Sequence, residues 1–434
     1  MTRQPVPSDV PRALVFGFGG AVAMWAAGFV LRLPGVLAAP WAIVGVFGLI
    51  QLMVGARMGG ARGAAMAGAV TALLNLLLVG SLVSDPETRN ALRAEWMVLV
   101  GGWLIGMPVV SALGAMVFKG RGARTEGVSW LARFAAVDAV AAFILLVVGG
   151  LVTSLEAGLA VPDWPNSFGY NMFLLPLAHM QGGVYFEHYH RLFGSLVGLT
   201  TLVLMVWTLL KDPRGIAKTL GIVAFLFVVG QGILGGLRVT GRATLSQTEV
   251  EPNLALAFVH GVTGQMFVAL LAAFACILSA RWTSSEPARE SSRPGSPRLI
   301  CGVLLGFLIV QLLLGSATRH FDQGPGFMHT ALTHAVNAVL VLAVAVGAGL
   351  RAAGAFAERT PLRVLGKATM HTVGLQMLLG AAALWAVLMY RKAETPPLVE
   401  VGITTGHQAV GAALLALAAM LFVWSRRLVL RPRK

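Results

Sequence analysis

Long apolar segments, separated by short polar ones, run through the whole chain. The apolar segments reach about 20 residues, which as a helix crosses the roughly 30 Å of hydrocarbon in a bilayer. Backbone N–H and C=O groups in lipid must be paired within the segment, so these segments predict helices rather than loops. Twelve membrane-spanning helices are predicted, near residues 13–31, 37–56, 64–84, 96–118, 132–153, 188–210, 216–236, 254–280, 299–317, 329–350, 368–390 and 402–425.

Charged residues are few and unevenly placed. They make up 12% of the 434 residues, while hydrophobic residues make up 57% and the formal net charge is +15. With a cytoplasmic N-terminus, most of the 33 Lys and Arg fall on the inner side, and residues 155–187 contain none. This positive-inside pattern predicts a multi-pass protein of a bacterial inner (cell) membrane with both termini in the cytoplasm. It indicates the lipid bilayer, and not nucleic acid, as the partner of the basic residues.

A segment rich in Ser, Pro, Glu and Arg at residues 283–297 divides the last eight spans into two sets of four. It is predicted to be a cytoplasmic linker. The two sets resemble an internal duplication, each a four-helix bundle. The predicted fold is an all-α polytopic membrane protein with modules at residues 1–130, 131–283 and 284–434. The first module adds about four helices and contains no histidine, so a scaffold or partner-docking role is its default.

Four histidines recur near the starts of alternate apolar segments, each with a small residue four positions later. A histidine with a small residue one helical turn away is typical of an axial haem ligand, because the missing side chain leaves room for a porphyrin edge or a neighbouring backbone. Four such helices predict two ligand pairs and two haem sites. The histidines and their small residues are His190 with Gly194, His260 with Gly264, His334 with Ala338, and His407 with Gly411.

The apolar segments that precede three of these histidines carry a glutamine four residues before a glycine. The segment before His190 departs from the pattern, with Leu145 four residues before Gly149. The three regular steps are Gln231 to Gly235, Gln311 to Gly315 and Gln376 to Gly380.

One of the four predicted ligands, His334, has an alternative nearby in the sequence. His329 precedes His334 by five residues, about 140° around a helix, so only one of the two can face a given metal. Ala338 matches the small residue of the other three histidines, which favours His334. His329 stays open as the alternative.

The most specific stretches are GGLVTSLEAGLAVPDWP at residues 149–165 and EHYHRLFG at residues 187–194, supported by GQGILGGLRVT at 230–240 and QLLLGSATRH at 311–320. In these stretches the chain resembles the haem A synthase family of cytochrome oxidase assembly, over about residues 131–425. The resemblance implies an oxidoreductase that oxidises a ring methyl of haem O twice, giving a formyl group after loss of water.

The resemblance also implies a division of labour. It implies that the second bundle binds haem b through His334 and His407, and that the first takes haem O between His190 and His260. Electrons would leave through the haem b, and Glu187 corresponds to an acidic residue that the family needs. Haem O synthase and cytochrome oxidase assembly factors are the expected partners. The oligomeric state stays open, a homo-oligomer included.

Chemistry at the first site is compatible with these assignments. Glu187, His190 and Arg191 are three and four residues apart, so they share one helical face. A carboxylate there is able to take or give protons during methyl oxidation. Arg191 is suited to a haem propionate, and Arg238 and Arg319 are further candidates for propionate binding or support. The alternative is a Glu187–Arg191 pair that only anchors the helix at the interface.

The outer loop before Glu187 contains Asp163 and Trp164, which are expected to form a lid over the substrate porphyrin. The alternative for Trp164 is an aromatic anchor at the membrane interface.

Two other functions fit parts of the pattern. A di-haem b electron carrier that exchanges electrons with quinone would use the same four histidines, but it has less need of Glu187. A transporter is disfavoured. Charges or broken helices would be expected near the middle of the bilayer, whereas the predicted spans, apart from their histidines, are nearly free of ionisable groups.

Overall fold

A computed structural model describes residues 9–118, 127–240, 253–284, 297–320, 326–391 and 393–429. Most of the predicted linker at 283–297 lies outside these ranges. Within them the chain is helical without β-strands, apart from two isolated bridges that join Ser84 to Leu92 and Ser167 to Tyr170.

Twelve helices in the described ranges are long and apolar enough to cross a membrane. The all-α polytopic class predicted from the sequence is therefore confirmed. The helices are α1 (Val10–Leu31), α2 (Pro40–Met58), α3 (Ala61–Val83), α4 (Trp96–Val117), α5 (Trp130–Ser154), α6 (Gly182–Lys211), α7 (Gly215–Thr240), α8 (Leu254–Leu278), a short α9 (Ala280–Ser284), α10 (Pro297–His320), α11 (Phe327–Ala355), α12 (Thr360–Tyr390) and α13 (Leu398–Leu428). Two 3₁₀ turns, Met172–Leu174 and Leu177–His179, interrupt the loop between α5 and α6.

Local sequence explains several helix starts. Ser129 and Asn253 accept hydrogen bonds from the backbone N–H of Ala132 and Leu256, which caps α5 and α8. Helices α1, α2 and α12 carry proline in their first turn, where a missing N–H costs nothing. Between α6 and α7, the guanidinium of Arg214 donates to Asp212 and lowers the pKa of that carboxyl.

The long helices pack in three groups along the chain. Helices α5, α6, α7 and α8 form a closed ring in which each contacts the next and α8 returns to α5. Helices α10 to α13 form a second ring of the same kind. Helices α1 to α4 pack on one another and reach the first ring through α1 and α3.

The two rings meet through α5, α8, α10 and α13. The largest apolar cluster lies in the first ring and its contact with α1, where Trp25 meets Phe193 and Phe18 meets Phe134 in edge-on pairs. Because this cluster is continuous, α1 and part of α3 are packed into the same core as the first ring, whereas the buried apolar residues of α2 and α4 lie in two smaller clusters.

Candidate functional site

The four histidines of the repeated pattern lie in two pairs, one in each ring of helices. His190 on α6 faces His260 on α8, with ring centroids 6.3 Å apart and the ring planes at 90°. His334 on α11 faces His407 on α13, again 6.3 Å apart and at 83°. The competing His329 is exposed and does not take part in the second pair. The structure therefore gives both pairs the same geometry.

The nitrogen atoms of these rings fit a metal whose other ligands come from a bound group and not from the protein. In all four rings Nδ1 is buried and has no hydrogen-bond partner among the described residues. Two metal–imidazole bonds of about 2.0 Å put the ligating nitrogens about 4 Å apart, which ring centroids at this separation allow. No group of three or more His, Cys, Asp or Glu able to hold a bare metal ion occurs in the described ranges. Paired imidazoles without further protein ligands are typical of haem iron.

Each imidazole packs against a glycine of the preceding helix. A Cβ added at Gly149, Gly315 or Gly380 would lie 2.8, 2.7 or 2.9 Å from Cε1 of the facing histidine, closer than atoms pack. At Gly235 the corresponding distance to His260 is 3.6 Å, an ordinary contact. Gly149, Gly315 and Gly380 thus make room for the ligand rings themselves.

Gln311 and Gln376, one turn before Gly315 and Gly380, also contact the second pair, although the sequence alone assigns them no role. Nε2 of Gln311 lies 3.3 Å from Nε2 of His334, and Nε2 of Gln376 lies 3.4 Å from Nε2 of His407. Gln311 accepts a hydrogen bond from Asn337, which fixes its amide. The signal was present in the sequence as the glutamine–glycine step, but spacing alone does not show which side chain a glutamine meets.

The first pair differs from the second in its surroundings. Near His260, the side chain of Gln231 donates a hydrogen bond to Thr263. A Cβ added at Gly264 would lie 3.7 Å from the amide oxygen of Gln231. Beside His190 the glutamine is replaced by Leu145, and a Cβ at Gly194 would meet nothing within 4 Å. The first pair therefore has open space next to one ligand.

Glu187 and Arg191, one turn apart on α6, form a buried ion pair of 2.6 Å with side chains 5% and 8% exposed. The second oxygen of Glu187 accepts a hydrogen bond from the backbone N–H of Val161 at 2.8 Å. Arg191 donates to the carbonyls of Val161, Asp163 and Asn166. These two side chains hold residues 161–169, here called the strap, against the start of α6.

Arg191 was predicted to bind a haem propionate, and the structure gives it another use. All of its terminal nitrogens donate to the strap and to Glu187. The Glu187–Arg191 ion pair, which is the alternative role of these residues predicted from the sequence, is thus present. Both side chains also bind the strap, whose path the sequence does not show.

The two predicted lid residues belong to the strap. The carboxylate of Asp163 accepts hydrogen bonds from the N–H groups of Phe168 and Gly169 at 2.6 and 2.8 Å, which closes the strap on itself. Trp164 is 41% exposed and its indole packs on Gly236 of α7. Gly236 follows Gly235, which contacts His260. A cavity of about 520 Å³ lies between the strap and α7 at this point.

Arg238 and Arg319 lie at the ends of α7 and α10. The guanidinium of Arg238 packs on Gly158, and its Nε is buried without a hydrogen-bond partner among the described residues. Arg238 lies one turn after Gly235, which contacts His260. Arg319 instead donates to the carbonyl of Thr153 at the end of α5, across the contact between the rings. Arg238 is therefore the better placed of the two for an anion at the first pair.

Helix α5 contacts both rings of helices through adjacent glycines. Gly149 contacts His190, whereas a Cβ at Gly150 would lie 3.0 Å from the amide oxygen of Gln408, the residue after His407 on α13. Adjacent residues of a helix point about 100° apart, so the two glycines face different neighbours.

Known proteins match this part of the chain. Residues 132–332 match the family described as "Cytochrome oxidase assembly protein". A haem A synthase of Exiguobacterium sibiricum is 30% identical over 193 residues, which are 44% of this chain and 59% of that protein. A haem A synthase of Lysinibacillus sphaericus is 34% identical over 113 residues, 25% of this chain and 35% of that protein. One from Listeria monocytogenes is 26% identical over 147 residues, 33% and 43% of the two chains. The chain thus spans less than two thirds of the length of each of these relatives.

Proposed function

We propose that this chain is a haem A synthase, because residues 132–332 match the family described as "Cytochrome oxidase assembly protein". It would oxidise a ring methyl of haem O to a formyl group in two successive steps with loss of water. One observation carries the proposal: two pairs of facing imidazoles, each with centroids 6.3 Å apart and with buried Nδ1 atoms that have no hydrogen-bond partner among the described residues.

The first pair, His190 and His260, is proposed to take haem O, and the second pair, His334 and His407, to hold haem b. The asymmetry of the surroundings supports this division. The first pair has open space beside Gly194, an acidic residue one turn away and the strap at its end of the ring. The second pair is braced by two glutamines. A substrate has to enter and leave, whereas a resident group is better held by fixed contacts.

The chain's own residues would bind the substrate and control water and protons. The buried Nε–H of Arg238 has no acceptor among the described residues, and Arg238 is proposed to bind a propionate at the first pair. Trp164 and the strap are proposed to limit water at the porphyrin edge. Glu187 lies one turn before His190 and is proposed as the acid–base residue. Its present contacts with Arg191 and Val161 would have to loosen for proton transfer. Haem b, when bound, would supply the route by which electrons leave.

The proposed setting is a bacterial inner membrane with both termini in the cytoplasm. The histidines then lie in the outer half of the bilayer. Proposed partners are haem O synthase, which makes the substrate, and cytochrome oxidase assembly factors, which receive the product.

Pigment extraction tests the proposal against a di-haem b electron carrier. Both functions require the two histidine pairs with the same spacing, so the spacing does not separate them. The full chain would be purified from a host that makes haem O and lacks its own haem A synthase. We expect haem O and haem A alongside haem b. Haem b alone would contradict the enzyme and favour the electron carrier.

A further inference from the structure

The connection between α3 and α4 forms a small, internally fixed hairpin over residues 84–92. The N–H of Asp85 donates to the carbonyl of Ala91 at 2.9 Å, and Ser84 bridges to Leu92. The carboxylate of Asp85 accepts hydrogen bonds from the N–H groups of Glu87 and Thr88, which lower its pKa. The hairpin therefore has a defined shape before it contacts anything else.

This hairpin binds the loop between α5 and α6 through its backbone. The hydroxyl of Ser84, which is fully buried, donates to the carbonyl of Leu174 at 2.6 Å. The side-chain oxygen of Asn90 accepts a hydrogen bond from the N–H of Asn171 at 2.8 Å. Both contacts join parts of the chain more than 80 residues apart.

Close packing adds to these hydrogen bonds. Gly80, near the end of α3, lies directly under the carbonyl of Phe173, where a Cβ would collide with that oxygen. The guanidinium of Arg89 lies 5.6 Å from the ring centre of Tyr170 and packs on Gly169. The loop segment at 169–174 therefore rests on the end of α3 and on the hairpin.

The same segment is continuous with the strap at 161–169. The N–H of Gly169 donates to Asp163 within the strap. Arg191 and Glu187 hold the strap from α6, and the hairpin holds its far end. The second histidine pair has no such support, because within the described ranges the extensive contacts of α1 to α4 outside their own group are with the first ring and its loop.

We infer that the N-terminal helices are a positioning device: through Gly80, Ser84 and Asn90 they fix the strap at the end of the first ring, beside His190 and His260. The inference about the strap rests on these hydrogen bonds and close contacts alone. Its consequence for substrate rests on the proposed function, since a displaced strap would weaken haem O binding at the first pair and leave the second pair unchanged.

Hydrogen exchange of the full chain without added haem tests the positioning itself. In Gly80→Ala the new methyl displaces the 172–174 turn, so the strap amides of Val161, Phe168 and Gly169 should exchange faster by about tenfold or more. The matched control is Gly102→Ala on α4, where a Cβ meets nothing within 4 Å. Unchanged strap amides in Gly80→Ala, or equal acceleration in the control, would overturn the inference.

A milder pair of variants decides the question if Gly80→Ala does not fold. Asn90 has a φ of +60°, which glycine and aspartate tolerate. Asn90→Gly removes the acceptor for Asn171 and should speed exchange of the Asn171 amide by about fivefold. Asn90→Asp keeps an acceptor oxygen and should restore the wild-type rate. Equal exchange in the two variants would contradict the inference.

Haem binding then separates this inference from the proposed function. In Gly80→Ala the KM for haem O should rise and the absorption of haem at the first pair should change, while haem b at the second pair keeps its wild-type spectrum. A strap that loosens without any effect on the first pair would contradict the positioning role. A wild-type chain that yields no haem A would instead contradict the proposed enzyme, and it would leave the exchange result as it stands.

Discussion

A methyl group added at Gly315 tests whether the glycines set the position of the ligand rings. In Gly315→Ala the new Cβ would lie 2.7 Å from Cε1 of His334. Carbon atoms in contact prefer about 3.5 to 4.0 Å, so the imidazole has to move by about 1 Å. Overpacking of this kind costs about 1–3 kcal/mol. If this free-energy cost destabilises the haem-bound state relative to the haem-free state, haem affinity at the second pair falls by about 5- to 150-fold.

The chain supplies its own graded series for this prediction. Gly149→Ala and Gly380→Ala would place a Cβ 2.8 and 2.9 Å from the facing ring and should act like Gly315→Ala. Gly235→Ala would place it at 3.6 Å and should be nearly silent. Gly306→Ala is the control on the same helix as Gly315, because its Cβ meets nothing within 4 Å.

The assay is titration of haem b into the haem-free full chain, followed by absorption and by the pyridine haemochrome. Gly315→Ala should weaken the second site and leave the first site at its wild-type affinity. The reasoning would be refuted by wild-type binding in Gly315→Ala, or by a Gly235→Ala loss as large as that of Gly315→Ala.

The other predictions concern charges and ligands. In Arg191→Met the carboxylate of Glu187 is left buried and unpaired, so thermal unfolding in detergent should show a loss of about 3–5 kcal/mol, and Glu187→Gln added to it should recover part of the loss. Glu187→Ala alone should keep haem b bound and reduce haem A formation; unchanged turnover would remove Glu187 from the mechanism. Wild-type protein should bind haem O at least about tenfold more tightly than its dimethyl ester, and Arg238→Gln should abolish that difference in a binding titration. His334→Ala and His407→Ala should each remove haem b while the first pair still binds added haem; loss of both haems in either variant would argue against separate sites.

Apolar length predicted the number of spans, but it misplaced several helix ends. The span expected at 188–210 belongs to a helix that begins at Gly182, and the one expected at 402–425 begins at Leu398 and ends at Leu428. Hydropathy marks the part of a helix that lies in hydrocarbon. Helical hydrogen bonds continue into the polar interface, where the sequence around Glu187 gives no apolar signal.

The spacing of Glu187 and Arg191 predicted that they share a helical face, and they form an ion pair there. The strap contacts were beyond prediction. They join Arg191 to three backbone carbonyls of a loop that has no periodic sequence pattern. Every residue type has a backbone carbonyl, so the sequence does not show which residues accept these hydrogen bonds. The propionate or support role expected for Arg191 stays a prediction, and in the fold its terminal nitrogens donate to the strap and to Glu187.

The N-terminal helices gave no functional signal in the sequence for a similar reason. Their contacts with the first ring rest on Gly80, Ser84 and Asn90, residue types that are common in any turn. Only the fold shows that these residues meet a loop more than 80 positions later. Histidine, by contrast, is rare in apolar segments, so its repetition was informative without a structure.

The adjacent glycines of α5 also allow this helix to lie close to two neighbours at once. Gly149 leaves room for the His190 ring of α6, and Gly150 leaves room for the Gln408 side chain of α13 at the contact between the two rings of helices. Methyl groups at both positions would push α5 away from α6 and from α13. The spacing of the two bundles therefore depends on the absence of two side chains on the helix that they share as a neighbour.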